Sequence, residues 1–247
     1  NIWKEDGIRG VWIHVPSVQS DNIPTIMKLG FRFHMVIDET LVLTKWLPDT
    51  AVSRLPMGPT HQVGVGCLVW HPADTTTLSR DRRMLVVQEQ TGPAAAYKLW
   101  KMPTGLSDAS EDVHDTAVRE LYEETGLVAL FQGVLVVRQA HSGAPVKQEA
   151  YRVARRKASD LFFVCQLQLQ VLDGDDIESD DYWNAKWNLC QHEIASIQWM
   201  KVSDFVNQDV WQASPIYTVL NQAVLEASTD TARLWQSTTL PVRHDKP

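Results

Sequence analysis

The stretch of the chain that most constrains its fold runs from Gly105 to Leu127 and reads GLSDASEDVHDTAVRELYEETGL. Within it, Ala117 and Leu121 are four residues apart, and other apolar residues keep the same helical spacing. This pattern predicts an amphipathic helix with its apolar stripe buried in a core. Gly126 is typical of the residue that ends such a helix. The segment therefore predicts one long helix at the centre of the fold.

The same helix carries acidic residues whose spacing calls for a counterion. Glu120 and Glu124 are four residues apart, so their carboxylates stack about one turn apart on one side of the helix. Two such carboxylates repel each other unless a cation lies between them. Hard oxygen ligands favour Mg²⁺ or Mn²⁺ over zinc. Arg119 and Glu123 are also spaced to form an ion pair, and Glu111 can join the cluster. A solvated helix rich in salt bridges is the alternative interpretation.

A glycine just before the helix favours the metal site over the solvated helix. Gly105 follows MPT, and its backbone can approach a phosphate or offer a carbonyl to a metal ion. With the charged residues it matches the Nudix box, G-x5-E-x7-R-E-U-x-E-E-x-G-U, at every fixed position, and Leu121 and Leu127 fill both aliphatic U positions. The chain is therefore similar to the Nudix hydrolases. The resemblance implies metal-assisted attack of water on a nucleoside diphosphate linked to another group.

The resemblance covers about residues 9–205 and points to one subgroup. WKMPTG at 100–105, THQVGVG at 60–66 and SDLFFVC at 159–165 resemble the animal fibroblast-growth-factor-antisense Nudix proteins and the plant ADP-ribose/NADH pyrophosphatases. The motifs RGVWIHVP and GFRFHM near the N-terminus resemble the pre-Nudix domain of these proteins, which looks like a fragment of an acetyltransferase fold. A basic stretch at 142–158 and an acidic, Trp-rich stretch at 172–192 depart from the subgroup and leave the choice of substrate open.

Periodicity and turn residues predict an α/β chain in three parts. A small β-α-β-β pre-Nudix domain is expected over residues 1–56, a Nudix α/β/α sandwich with a mixed sheet over 57–212, and a C-terminal helix with a polar tail over 213–247. The expected elements are strands at 11–15, 31–36, 40–46, 62–70, 84–88, 99–102, 134–139, 161–171 and 197–202, and helices at 20–30 and 215–227. Three local details are also expected: a hairpin that joins strands 62–70 and 84–88, an N-cap at Ser110, and a solvated acidic loop at 173–181.

The resemblance implies a role for each residue of the box. Glu120 and Glu124 are expected as the principal metal ligands and Glu123 as a secondary ligand. Glu111 is expected as a supporting ligand, and the carbonyl of Gly105 as a further one. The arginine of the box is expected to orient these groups rather than to act as a catalyst.

The general base is less narrowly defined by the resemblance. Glu120 is one candidate, because some Nudix enzymes use the matching glutamate. Glu193 is the other, because it lies six residues before Trp199, a spacing that matches a functional loop glutamate in a relative; a solvated loop glutamate is its alternative. Glu149, within the basic stretch, is a weaker candidate.

Three residues are expected to contact the substrate. Arg138 and His141 follow the box helix near the end of the next strand, where an arginine fork suits a phosphate or a ribose. Trp100 can stack on a base. The alternatives are a surface pair for Arg138 and His141, and a core position for Trp100.

Composition limits the class of partner. The formal net charge of −7 disfavours the backbone of nucleic acids and anionic membranes, and no apolar run has the ~20 residues of a membrane span. Cys67, Cys165 and Cys190 predict neither a disulfide framework nor a zinc site, so a reducing, cytoplasmic location is expected. The chain begins with Asn1, so a removed targeting segment is compatible with the sequence.

We therefore expect a small-molecule nucleotide substrate, with ADP-ribose or NADH first. Coenzyme A and a capped RNA end are the alternatives within the same chemistry. A regulatory binding module that has lost catalysis is the alternative outside it. A homodimer is expected by analogy alone.

Overall fold

The computed structural model describes residues 2–56, 58–74, 76–141, 159–212, 215–230 and 234–235. The chain forms two compact units, Asn1–Thr60 and His61–Pro247. In the described ranges, no helix is long and apolar enough to cross a membrane.

The first unit is a three-stranded antiparallel sheet in the order β1-β3-β2, with a helix packed against one face. Its helix begins later than residue 20, because Pro24 fits only the first turn of a helix. A 3₁₀ turn over Ser17–Asn22 precedes the helix, and neither Ser20 nor Asp21 caps it, so the predicted start was wrong. The elements of this unit are α1 (Ile2–Glu5), β1 (Gly10–Pro16), α2 (Ile23–Lys28), β2 (Arg32–Ile37) and β3 (Thr40–Trp46).

The second unit contains a four-stranded mixed sheet in the order β6-β4-β8-β7, in which β4 and β8 are parallel. A separate antiparallel pair joins β5 and β9. The elements are β4 (His61–Val69), β5 (Arg83–Glu89), α3 (Gly92–Ala96), β6 (Thr104–Leu106), α4 (Val113–Thr125), β7 (Ala129–Ala140), β8 (Ser159–Leu169), α5 (Asp180–Ala185), β9 (Ile194–Lys201), α6 (Val202–Val206), α7 (Asp209–Gln212) and α8 (Pro215–Thr229).

Both faces of the mixed sheet are covered by helices, as the alternation of strands and helices predicted. On one face, Val65 and Cys67 pack against Leu121 of α4 in the first core cluster. On the other face, Leu68 packs in a second cluster that includes Val224 of α8. The three-layer α/β/α arrangement is therefore confirmed, and α4 forms one outer layer.

The predicted hairpin between β4 and β5 was wrong. Both edges of β4 are already hydrogen-bonded, one to β6 and the other to β8, so β5 pairs with β9 instead. One isolated bridge, Trp70 to Met84, connects the two regions. The predicted strand at 99–102 is likewise reduced to one isolated bridge, between Lys101 and Val87.

The central helix follows its sequence closely except at its start. Ala117 and Leu121 are fully buried, and Gly126 adopts φ 75° and donates to the carbonyl of Tyr122. The N-cap position belongs to Asp112 rather than to Ser110, which lies two residues earlier and has a left-handed φ of 69°.

The predicted solvated acidic loop at 173–181 is confirmed over residues 173–179, which form turns and are mostly exposed, but the last two residues belong to a helix. Asp180 begins α5 after an N-cap at Ser179, and its carboxylate lies 2.5 Å from Nη1 of Arg83. Trp183, in the same helix, is buried against the core that α4 shares. The predicted loop therefore ends at Ser179, and the helix that follows it packs into the folded unit.

Candidate active site

Arg119 is the centre of the polar network on α4. Its Nε and Nη2 donate to the two carboxylate oxygens of Glu111, at 2.7 and 2.8 Å. Its Nη1 donates to Glu120 at 2.9 Å and to Glu123 at 3.0 Å, and Nη2 also reaches the carbonyl of Leu106. The arginine lowers the pKa of Glu111 to about 2. The box arginine thus fixes three acidic side chains, in the orienting position that the sequence suggested.

Glu120 lies directly against Gly105 on the edge strand β6. A Cβ atom at Gly105 would lie 1.8 Å from Cδ of Glu120, so only glycine leaves room for this carboxylate. Burial raises the pKa of Glu120 despite the hydrogen bond from Arg119. The glycine and the glutamate, which have fourteen residues between them in the box, are therefore in contact.

Glu124 is the most buried carboxylate of the helix, with 4% of its surface exposed. One of its oxygens accepts from the backbone N–H of Thr104 at 3.1 Å, and the other lies 3.9 Å from Nζ of Lys101. Burial raises the pKa of Glu124 to about 7, which Lys101 and the Thr104 hydrogen bond only partly offset. The positive charge around Glu124 is therefore too small to offset the cost of burying its ionised carboxylate.

The two remaining predicted acidic residues are more exposed. Glu123 is 55% exposed and is paired with Arg119. Glu193 lies on the turn before β9, and its negative charge contributes to raising the pKa of both Glu120 and Glu124. The structure therefore brings the loop glutamate into electrostatic contact with the box. The backbone N–H of Cys190 donates to the carbonyl of Glu124, which ties this loop to the end of α4.

Lys101 and Glu89 adjoin this cluster, and the sequence analysis did not single them out. Nζ of Lys101 donates to Oγ1 of Thr104 at 2.6 Å and lies 2.8 Å from Oε1 of Glu89. The lysine residue is only 8% exposed. The signal was present in the sequence: each charge interrupts or ends an apolar run, LWKMP and MLVVQE, where a charged side chain needs a partner.

In the described residues, none of the three predicted substrate residues is hydrogen-bonded or ion-paired with a box carboxylate. Arg138 forms an ion pair with Asp160 and lies over the ring of Phe162, on the sheet face that the second core cluster covers. His141 is exposed and hydrogen-bonds with Ser159 at 2.9 Å. Trp100 packs against the second core cluster, which is its predicted alternative role. By contrast, the acidic cluster belongs to the face that α4 covers.

A second group of metal-binding type occurs at the start of the helix. In the described part of the chain, ligand atoms of Asp112, His114 and Asp115 all lie within 4.8 Å of one another. The box carboxylates fit a divalent cation for a different reason: they are oxygen donors whose burial raises the pKa, held against a glycine. Glu149 lies outside the described residues.

Comparisons with known proteins agree on one family. A model described as "NUDIX domain" matches residues 60–220, and a model described as "Nudix hydrolase domain" matches residues 1–47. Nudix hydrolase 8 of Arabidopsis thaliana is 34% identical over 87% of this chain and 50% of its own length. Nucleoside diphosphate-linked moiety X motif 6 of Homo sapiens is 34% identical over 84% of this chain and 55% of its own.

Among solved structures, a NUDIX hydrolase from Nitrosomonas europaea is 17% identical, with a TM-score of 0.44, over 68% of this chain and 90% of that one. The chain spans 50–58% of the length of the first three relatives that it matches.

Proposed function

Because this chain belongs to the Nudix family, we propose that it hydrolyses the pyrophosphate bond of a nucleoside diphosphate linked to another group. ADP-ribose and NADH are the first candidate substrates, and AMP is the expected product from both. Mg²⁺ or Mn²⁺ is the proposed cofactor.

The contact between Glu120 and Gly105 carries this proposal. Fourteen residues separate the two positions in a box that the chain matches throughout, and the glutamate occupies the space where any other residue would place a Cβ atom. Glu124 lies one turn along the same helix and is buried with its pKa raised to about 7. Two buried carboxylates one turn apart destabilise the metal-free protein when they are ionised. A divalent cation between them would offset this repulsion.

The metal-binding role falls to oxygen donors of the box. Glu120 and Glu124 would hold the cation, with Glu123, Glu111 and the carbonyl of Gly105 as supporting donors. Glu111 also accepts hydrogen bonds from Arg119 through both of its oxygens, and so it fixes that arginine. When bound, the cation neutralises phosphate charge and lowers the pKa of bound water.

Glu193 and Glu120 are the proposed general bases, and the structure supports Glu193 in one respect. It is exposed on a turn beside the cluster and is free to accept a proton from water, whereas Glu120 is engaged by Arg119. A base must lie within reach of the attacking water and must be deprotonated at neutral pH.

We also propose three substrate contacts, Arg138, His141 and Trp100. Two of them already have partners within the protein. The guanidinium of Arg138 is committed to Asp160, so it would have to exchange that partner to bind a phosphate or ribose. The backbone of Trp100 is held by Gln208 through hydrogen bonds of 3.0 Å. His141 is exposed and needs no such exchange.

A substrate panel tests the proposal. The full chain would be incubated with ADP-ribose, NADH, coenzyme A and a capped RNA oligonucleotide, each with Mg²⁺ and with Mn²⁺, and products would be identified by mass spectrometry. AMP with ribose 5-phosphate from ADP-ribose supports the proposal. Cleavage of coenzyme A or capped RNA alone would assign a different substrate, and binding without turnover would favour a regulatory module.

The first unit has a separate proposed role. Its strands and second helix follow the β-α-β-β order expected from the sequence, and it has its own core of Val15, Phe31 and Leu43. We place no catalytic group there. A unit of this kind can bind a partner or a second copy of the chain, and sedimentation velocity of the full chain measures the latter.

A further inference from the structure

We propose that Lys101 is a positioning residue that acts as the built-in counterion of the acidic cluster and sets how tightly this cluster binds a divalent cation. The inference rests on the proposed function, because it assumes that Glu124 is a metal ligand. It adds a residue that the Nudix box does not contain and assigns it an effect of defined sign.

The position of Lys101 is fixed by its backbone. Its N–H donates to the carbonyl of Val87 at 2.9 Å, and its own carbonyl accepts from the N–H of Val87 at 2.8 Å. This reciprocal pair fastens the residue to β5, in the core of the second unit. The lysine side chain therefore begins from a rigid point and not from a loose loop.

The ammonium group is enclosed by acceptors from three different elements. Oγ1 of Thr104 on β6 and Oε1 of Glu89 on β5 are 2.6 and 2.8 Å away. Oε1 of Glu124 on α4 is 3.9 Å away, within ion-pair distance but beyond a hydrogen bond. Lys101 thus contacts β6, β5 and α4 at one point.

The arrangement divides the charges of the site between two cations. Arg119 serves Glu111, Glu120 and Glu123. In the described residues, the ion pair recorded for Glu124 is the one with Lys101. Lys101 consequently lies beside the one of these carboxylates that is not among the ion-pair partners of the helix arginine in the described residues.

A cation so placed must also oppose metal binding. Any divalent ion that Glu124 ligates shares that carboxylate with the ammonium group, in a region where burial keeps the effective dielectric constant low. Lys101 should therefore weaken metal affinity, whereas a residue with a purely structural role would strengthen the site by keeping it intact. Removal of the charge gives opposite results in the two cases.

The experiment measures Mn²⁺ binding to the full chain, without nucleotide, by isothermal titration calorimetry. Lys101→Met removes the charge and keeps the length of the side chain, and we expect it to bind Mn²⁺ at least about tenfold more tightly than the wild type. Lys101→Arg keeps the charge and should retain an affinity within about threefold of wild type. Lys201→Met, which removes an exposed lysine that pairs with Asp81, is the matched control and should leave affinity unchanged.

Thermal unfolding of the same proteins without metal gives the second readout. Lys101→Met should unfold at a lower temperature than the wild type, and saturating Mn²⁺ should restore more stability to it than to the wild type. If Lys101→Met does not fold, Lys101→Gln, which retains a polar group for Thr104, takes its place with the same expected direction.

Three results overturn the inference. If Lys101→Met binds Mn²⁺ as tightly as the wild type or more weakly, the role of Lys101 is merely structural. If Lys101→Met and Lys101→Arg both bind Mn²⁺ more tightly than the wild type, loss of the charge is not the cause. A wild-type protein that binds no Mn²⁺, with or without ADP-ribose, contradicts the proposed function as well, and so the two failures can be told apart.

Discussion

Glu111, just before α4, and Glu124, near the end of α4, lie in opposite electrostatic environments. Near its start, Glu111 is bonded through both oxygens to Arg119, and its pKa is lowered to about 2. Thirteen residues later, near the end of α4, Glu124 is buried with the Lys101 ammonium group 3.9 Å away, and its pKa is raised to about 7. The first carboxylate is satisfied by the protein itself. The second is left with negative charge that the protein only partly offsets, which is what a metal ligand requires.

The largest effect is expected at Glu120. Glu120→Gln should lower the rate of ADP-ribose hydrolysis with Mg²⁺ by about 10³-fold, because it removes a charge that is proposed to act directly on the reaction. Steady-state kinetics and circular dichroism would show whether activity falls while the fold is retained. Glu226→Gln, on an exposed part of α8, is the matched control. Turnover by Glu120→Gln at the wild-type rate would refute the role assigned to this residue.

Glu124 is expected to lower the stability of the metal-free protein at neutral pH, although it is proposed to be needed for metal binding. A pKa raised from 4.5 to about 7 means that folding opposes ionisation. The metal-free protein is therefore unaffected below about pH 4.5 and loses stability as the pH rises towards 7. Glu124→Gln should raise the free energy of unfolding of metal-free protein at pH 8 by up to roughly 3 kcal/mol, with no gain at pH 4.5. Urea unfolding at the two pH values measures this difference.

The same variant should lose its response to metal. Mn²⁺ should raise the unfolding temperature of the wild type and leave that of Glu124→Gln nearly unchanged, since a ligand stabilises only the protein that binds it. A variant that is less stable than wild type at both pH values would show that Glu124 is a structural carboxylate and would remove the contrast with Glu111.

A methyl group at Gly105 tests the geometry without changing a charge. Gly105→Ala would place Cβ 1.8 Å from Cδ of Glu120, and the flexible carboxylate would have to move away. We expect about a 10²-fold loss of turnover, because misplacement of a catalytic group by ~1 Å is costly, with only a small change in unfolding temperature. Gly58→Ala, which meets no atom closer than 3.7 Å, is the control. Equal activity of both variants would contradict the close contact.

The smallest effect is expected at Glu111, whose two carboxylate oxygens already accept hydrogen bonds from Arg119. Glu111→Gln should lower the free energy of unfolding by about 1 kcal/mol at pH 7, because it removes a partly exposed ion pair with Arg119. A lowered pKa contributes stability above about 4.5, and this contribution is lost as the pH falls towards 2. The difference between variant and wild type in urea unfolding should therefore shrink on acidification. A difference that stays constant with pH would not arise from this carboxylate.

The box helix could be predicted because its local and tertiary requirements agree. Ala117 and Leu121 keep the helical period and are buried, and Gly126 supplies the left-handed residue that ends the helix. Its N-cap could not be predicted, because Ser110 and Asp112 both suit that position and the choice depends on the course of the preceding loop. The fixed positions of the box named the acidic residues but not their partners in space.

Strand pairing and the ammonium partner of Glu124 depend on contacts that are distant in the sequence. β4 pairs with β8, about ninety residues further along the chain, so proximity in sequence favoured the wrong hairpin with β5. Lys101 meets Glu89 and Glu124 only after three elements have assembled. A charge within an apolar run marks such a residue as needing a partner, but it does not identify the partner.

One measurement tests the central assignment most directly: a crystal structure of the full chain grown with Mn²⁺ and a non-hydrolysable ADP-ribose analogue, with the metal located by anomalous scattering. Our assignment predicts a peak at ligand distance, about 2.0–2.6 Å, from carboxylate oxygens of Glu120 and Glu124, with the diphosphate beside it. A peak held by Asp112, His114 and Asp115 instead, with the box glutamates empty, would contradict it.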